Sequence, residues 1–287
     1  MMSIYAQNEK GDFKVLKSVK TKSITLSYHK TENVPENLNS RHCHDRYEIL
    51  YVIKGEGRYT AEGKEITVKP RTLVVIPPLT YHCIEIKAGI TYERTVLHFD
   101  KSSVAECARE VFASVIKSET EISVYSEEAL PDTALSAIDR LLRLAELPEG
   151  EAEVMSRLLL SEIFVALSLA QRDNCSFTDE ELGARVIRYL NENMFTDISL
   201  DKLARRFYVS KYYICREFKR HNGISVHGYI TQKRVMHAKW LIESGETASV
   251  AAAKVGFGDY SAFYRAYVKL VGTAPTATEI QKGRERS

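Results

Sequence analysis

The chain has 287 residues, 44% hydrophobic and 27% charged, with a formal net charge of +2. That length is generous for one domain and comfortable for two, each able to bury its own core. No apolar run approaches the roughly 18–20 residues of a membrane span, and the polar stretch Met1 to Lys22 lacks a signal peptide's apolar segment, so a cytoplasmic protein with no membrane partner is expected. Five cysteines, Cys43, Cys83, Cys107, Cys175 and Cys215, are odd in number and scattered, which argues against a disulfide framework and a C-x-x-C zinc or redox pair.

From Phe13 to about Asp100 the text is strand-like. Short Val, Ile, Tyr and Thr-rich runs, Tyr47 to Ile53, Glu65 to Val68 and Leu73 to Ile76, are separated by turn signals, with Ala61-Glu62-Gly63-Lys64 reading as a hairpin turn. Antiparallel strands at this spacing form a sandwich or small barrel rather than a parallel α/β sheet. After Asp100 the period changes from two to 3.6, with apolar positions at Leu135, Ile138, Leu141, Leu142 and Ala145, then at Val154, Leu158, Ile163, Val165 and Leu167. Leu147-Pro148-Glu149-Gly150 closes one helix and turns into the next. This helical hairpin packs either on the barrel or on its copy in a second subunit. The polar stretch Gln171 to Asp179 reads as a linker.

Residues 178–287 carry 18 Lys and Arg against 12 Asp and Glu, leaving +6 there and −4 on the rest, so the C-terminal third is the part suited to a polyanion. It is helical throughout and resembles itself at an offset of 49 residues. Ala204 falls on Ala253, Ser210 on Asp259, Ile214 on Phe263, Arg216 on Arg265, Phe218 on Tyr267 and Gly223 on Gly272. In a helix-turn-helix these positions are a small residue under the crossing, an N-cap for the second helix, a buried anchor and an outward arginine about 200° around from it. An outward arginine on such a helix forks onto guanine O6 and N7, contacts a phosphate, or is plain surface charge. Between the units, Val226 to Ser244 reads as one long helix that fixes their separation.

The first unit runs Leu203-Ala204, then Ser210-Lys211-Tyr212-Tyr213-Ile214-Cys215-Arg216-Glu217-Phe218-Lys219, then Gly223, Tyr229, Arg234 and Ala238; the second runs Val255-Gly256-Phe257, Asp259-Tyr260-Ser261, Phe263, Arg265, Gly272 and Pro275. Over about one hundred residues this text resembles the AraC/XylS family of transcription regulators. The resemblance implies DNA contact at Tyr212, Cys215 and Arg216 and at Tyr260, Ser261, Ala262 and Arg265, a double-stranded operator, a homodimer, and RNA polymerase as a possible partner. Departures at Tyr267-Val268 and at Thr278-Glu279, after Pro275, put more weight on Arg216 than on Arg265.

His42-Cys43-His44, Glu48 and Gly55 have the spacing of the first cupin motif, and Pro77-Pro78-Leu79-Thr80-Tyr81-His82 resembles the second, with Leu79 where glycine is usual. On a strand His42, His44 and Glu48 share a face that Cys43 does not. His42, His44, Glu48 and His82 are the candidate ligand site for a small effector, a sugar or related metabolite; the reading adopted is no cofactor, with a divalent metal on the same four residues as the alternative. Tyr28, Arg46, Tyr51, Tyr59 and Tyr81 are candidate lining, and His29, His98, His221, His227 and His237 have no partner at useful spacing.

The expected architecture is a multidomain α+β protein. A cupin-like antiparallel β-barrel spans 1–105, a helical dimerisation region 106–172 and a linker 173–180. An all-α DNA-binding domain, two helix-turn-helix units joined by a long helix, spans 181–287. The expected function is effector-controlled transcription regulation without catalysis. The alternative is a metal-dependent cupin enzyme with a helical oligomerisation tail.

Overall fold

The computed structural model describes residues 14–35, 39–116, 121–171 and 182–275. Most of the expected linker, and Thr278-Glu279, lie outside them. Among the described residues, ten strands make two sheets. One has the order β1 (Lys14–Lys20), β2 (Ile24–Thr31), β9 (Tyr92–Phe99), β4 (Tyr47–Lys54), β7 (Thr72–Ile76) and β10 (Ser123–Tyr125); the other has the order β3 (Asn39–His42), β8 (His82–Ile86), β5 (Gly57–Ala61) and β6 (Lys64–Val68). All pairings are antiparallel. The expected barrel is thus two facing sheets, with no strand pairing that closes them among the described residues.

Strand parity explains why two cores form. In β4, Leu50 and Val52 point between the sheets onto Tyr59, Ile66, Val68, Ile84 and Val96, while Ile49 points the other way onto Leu97, Phe99 and the helices. Strand β7 is buried at every position because Leu73 and Val75 meet the helices and Val74 and Ile76 meet the second sheet. An unbroken apolar run is what such a doubly covered strand requires.

The helices on the outer face are α1 (Arg109–Val115), α2 (Asp132–Leu142) and α3 (Glu149–Leu169), the last two joined through a short 3-10 turn at Leu144–Glu146. Phe112 and Phe164 meet edge to face at 4.8 Å between ring centroids and seal this layer on Phe99. Strand β10, pairing Ser123 with Val75 and Tyr125 with Leu73, stands where helix alone was expected. Three residues are too few to show a period, and what makes them a strand is the open edge of β7. The apolar pattern of α3 also splits: Ile163 and Leu167 are buried, whereas Val154, Leu158 and Val165 are exposed.

The C-terminal region holds α4 (Leu182–Glu192), α5 (Leu200–Phe207), α6 (Lys211–Asn222), α7 (Val226–Glu243), α8 (Ala248–Lys254) and α9 (Tyr260–Val271). One core runs through both units, from Val186 and Ile187 through Ile214, Phe218, Tyr229 and Val235 to Phe263, Tyr267 and Val271. The side chains of Cys43 and Tyr81, from the sheets, belong to it as well.

Candidate functional site

The two helix-turn-helix units are built alike. Ser210 ends in extended backbone and its hydroxyl accepts from the amide of Tyr213; Asp259 does the same with the amides of Ser261 and Ala262. Gly223 and Gly272 close α6 and α9 in the left-handed conformation, at φ of +69° and +82°. Ile214 and Phe263 are fully buried, and Phe218 and Tyr267 nearly so. One expected equivalence does not hold. Ala204 is half-buried, but Ala253 is exposed, and the small residues under the second crossing are Ala251 and Ala252.

The expected recognition faces are outward. Tyr212 is 75% exposed, Tyr260 40%, Ser261, Arg216 and Arg265 are exposed, and Cys215 and Ala262 are half-buried at the edge of the face. Their arginines differ. Arg216 donates from Nε to Glu217 at 3.0 Å and lies over the Tyr213 ring at 5.1 Å. Arg265 has no ion pair among the described residues.

Arg234 ties the units together. Its Nε donates to the Met194 carbonyl at 3.0 Å, Nη2 to Thr196 at 2.7 Å and Nη1 to Gly256 at 2.7 Å. The first two acceptors follow α4 and the third follows α8, so one planar guanidinium from α7 spans both units.

In the sheets, His42, His44, Glu48 and His82 converge, with one ligand atom from each lying within 4.8 Å of the others. Strand register brings them together: His42 pairs with His82 across β3 and β8, and Glu48 sits opposite His98 across β4 and β9. His98, unassigned from the sequence, places Nε2 3.0 Å from Glu48 Oε2. The signal that it belongs here is long-range register, which no local spacing carries.

The proton positions follow from the acceptors. His44 Nδ1 donates to the Arg46 carbonyl and His82 Nδ1 to the Thr80 carbonyl, each at 2.8 Å. In a neutral ring Nε2 then carries the lone pair. His82 Nε2 is buried without a hydrogen-bond partner and lies 3.9 Å from Glu48, while His44 Nε2 lies 2.8 Å from the same carboxylate oxygen. Burial pushes the His82 imidazolium down to about 4, keeping the ring neutral. Burial alone would raise the Glu48 carboxyl; the contacts with His44 and His98 outweigh it and hold the group well below the usual range. Three imidazoles and one carboxylate are a donor set for a cation, with backbone carbonyls fixing the His44 and His82 rings as second-layer partners do at metal centres.

Of the other expected lining residues, Tyr59 alone faces the interior beside the cluster, stacked on His82 at 6.0 Å with its hydroxyl unpartnered. Tyr28 and Tyr51 share the parity of Leu26 and Ile49 and face the helical side. Arg46 donates to the Ser23 carbonyl and pairs with Asp100. Tyr81 turns to the helical core of the C-terminal region.

Two family models match this chain, a helix-turn-helix domain over residues 203–280 and an AraC-like ligand-binding domain over residues 27–167. The chain belongs to the AraC family of transcription regulators. It is similar to the HTH-type transcriptional regulator YdiP of Escherichia coli (strain K12), 22% identical over 84% of this chain and 81% of that protein. It is also similar to the HTH-type transcriptional activator RhaS of Escherichia fergusonii, 24% identical over 88% and 91%. Among solved structures, ToxT from Vibrio cholerae O395 aligns over 90% of this chain and 97% of its own, with 11% identity and a TM-score of 0.38. The protein is therefore an effector-controlled DNA-binding transcription regulator whose homologues are regulators rather than enzymes. No helix among the described residues is long and apolar enough to cross a membrane.

Proposed function

We propose that this regulator reads its operator with the outer faces of α6 and α9, dimerises through α3, and senses a divalent transition-metal ion, alone or carrying a small chelating metabolite, at His42, His44, Glu48 and His82. The observation that carries the effector assignment is the convergence of three imidazoles and one carboxylate within 4.8 Å of one another, with Nδ1 of His44 and His82 held by backbone carbonyls so that Nε2 of each faces Glu48. A cation of borderline softness, bound by imidazole and carboxylate, gives the buried, unpartnered Nε2 of His82 a partner and displaces the proton shared by His44 Nε2 and Glu48. Bound there, it supplies charge neutralisation and a fixed geometry for the four side chains.

Dimerisation is supported by Val154, Leu158, Val165 and Leu169. These exposed apolar residues lie within about 60° of arc on α3 at 100° per residue, a seam suited to the same helix of a second copy. The relatives named HTH-type transcriptional activator RhaS support activation as the output, and RNA polymerase is the partner proposed for it.

Titration of the purified full chain with Co²⁺ tests the effector reading through the visible absorption that cobalt gains in a nitrogen and oxygen site. One equivalent bound in the wild type, and none in His82→Ala, is the expected result. Absence of stoichiometric binding in the wild type overturns it.

A further inference from the structure

The backbone segments 42–45 and 79–82 form a wall only one residue thick. His42, His44 and His82 project from it into the cluster, while Cys43 and Tyr81 project from the opposite side into the core of the DNA-binding region. Asp45, next to His44, pairs with Lys239 of α7, and Tyr81, next to His82, meets Tyr229 of α7 edge to face at 5.5 Å. Leu79 belongs here too. It holds φ at +63°, a conformation that favours the glycine of the second cupin motif, and its side chain packs against the same core. A glycine would relieve the strain and lose that contact.

Glu62 fastens the wall from above. It occupies the first central position of the β5–β6 hairpin at φ +48°, followed by Gly63 at +78°, and such two-residue turns favour Asn or Gly there. Its buried carboxylate accepts four hydrogen bonds, from the Tyr81 amide (2.5 Å), Asn191 Nδ2 (2.8 Å), Tyr229 OH (2.5 Å) and Lys233 Nζ (2.6 Å). A Cβ on Gly63 would come within 2.8 Å of Ala184 in α4. A residue unsuited to its turn, saturated by donors from α4, α7 and the wall itself, is placed for contact with the DNA-binding region.

We propose that Glu62 is the latch of a coupled device, in which docking of α4 and α7 on the wall and occupancy of the histidine cluster reinforce one another. The inference rests on the cluster being a cation site. A cation drawn between His44 and Glu48 orders segments 42–45 and 79–82 from the inside, and the latch orders the same segments from the outside. Because linkage is reciprocal, loosening the latch must weaken the ion by the factor that the ion tightens the latch.

The test is Co²⁺ affinity of the full chain in the wild type, Glu62→Gln, Lys233→Met and the double variant, with folding checked by circular dichroism. Hydrogen exchange of residues 226–243 is followed with and without Co²⁺. Neither Glu62 nor Lys233 is among the four cluster residues. Each single variant is expected to weaken Co²⁺ about tenfold without altering its absorption spectrum. The double variant, which removes both buried charges together, regains part of the loss, and Co²⁺ slows exchange in α7 of the wild type more than in either single variant. Unchanged Co²⁺ affinity in a folded Lys233→Met overturns the latch and leaves the cation site standing. Wild-type protein that binds no Co²⁺ through His82 overturns both.

Discussion

The two recognition helices share caps, anchors and closing glycines at a fixed offset, yet they stand in different company. α6 lies in the unit that the sheets grip: His221 at its end reaches the Gly63 carbonyl at 3.4 Å, and Asn191 of the neighbouring α4 binds Glu62. α9 belongs to the unit beyond α7, and its Arg265 has no ion pair among the described residues. The shared caps, anchors and closing glycines build the two units alike. What distinguishes them is what each touches: the first unit and α7 carry contacts with the sheets, through His221, Asn191, Lys233 and Lys239.

That contrast can be broken most severely at Arg234, which holds both units. Arg234→Ala leaves the carbonyls of Met194, Thr196 and Gly256 without their donor and is expected to cost about 3 kcal/mol of stability, read as a lowered midpoint in chemical denaturation. A loss within experimental error would show that the two units need no bridge. Next in size is Arg265→Ala, with a loss of about 2 kcal/mol in operator affinity, measured by fluorescence anisotropy on a duplex that the wild type selects from a random pool. Arg216→Ala should cost less, because the wild-type guanidinium must first leave Glu217. Glu217→Gln, which frees Arg216, should then raise affinity in the same assay. Equal losses for the two arginines would remove the asymmetry. The smallest effects are at the caps, where Ser210→Ala and Asp259→Ala each are expected to lower stability by about 1 kcal/mol in thermal melts.

Local features were the legible ones. The repeat, its caps and its glycines are written in consecutive residues, as are the hairpin at Ala61 to Lys64 and the break at Pro148. The cluster of His42, His44, Glu48 and His82 was legible because three of its members share one short segment and parity places them on one face. His98 was not, since only the β4–β9 register brings it to Glu48. β10 was hidden because its three residues become a strand only through β7. The latch was hidden in part: Glu62 stood in a turn already assigned, but the four groups that satisfy its carboxylate are up to 171 residues away. Leu79 illustrates the same limit. In the sequence it is a departure from a motif; in the fold it is a contact between the sheets and the DNA-binding core.

On the proposed function, α6 and α9 read DNA through their outward arginines. Anisotropy titrations of the wild type, Arg216→Ala and Arg265→Ala on the selected duplex, at several salt concentrations, test it most directly. Weaker binding by both variants is expected, with the larger loss for Arg265→Ala and discrimination against base changes relaxed at the position each arginine contacts. Wild-type affinity and base discrimination in both variants would contradict it.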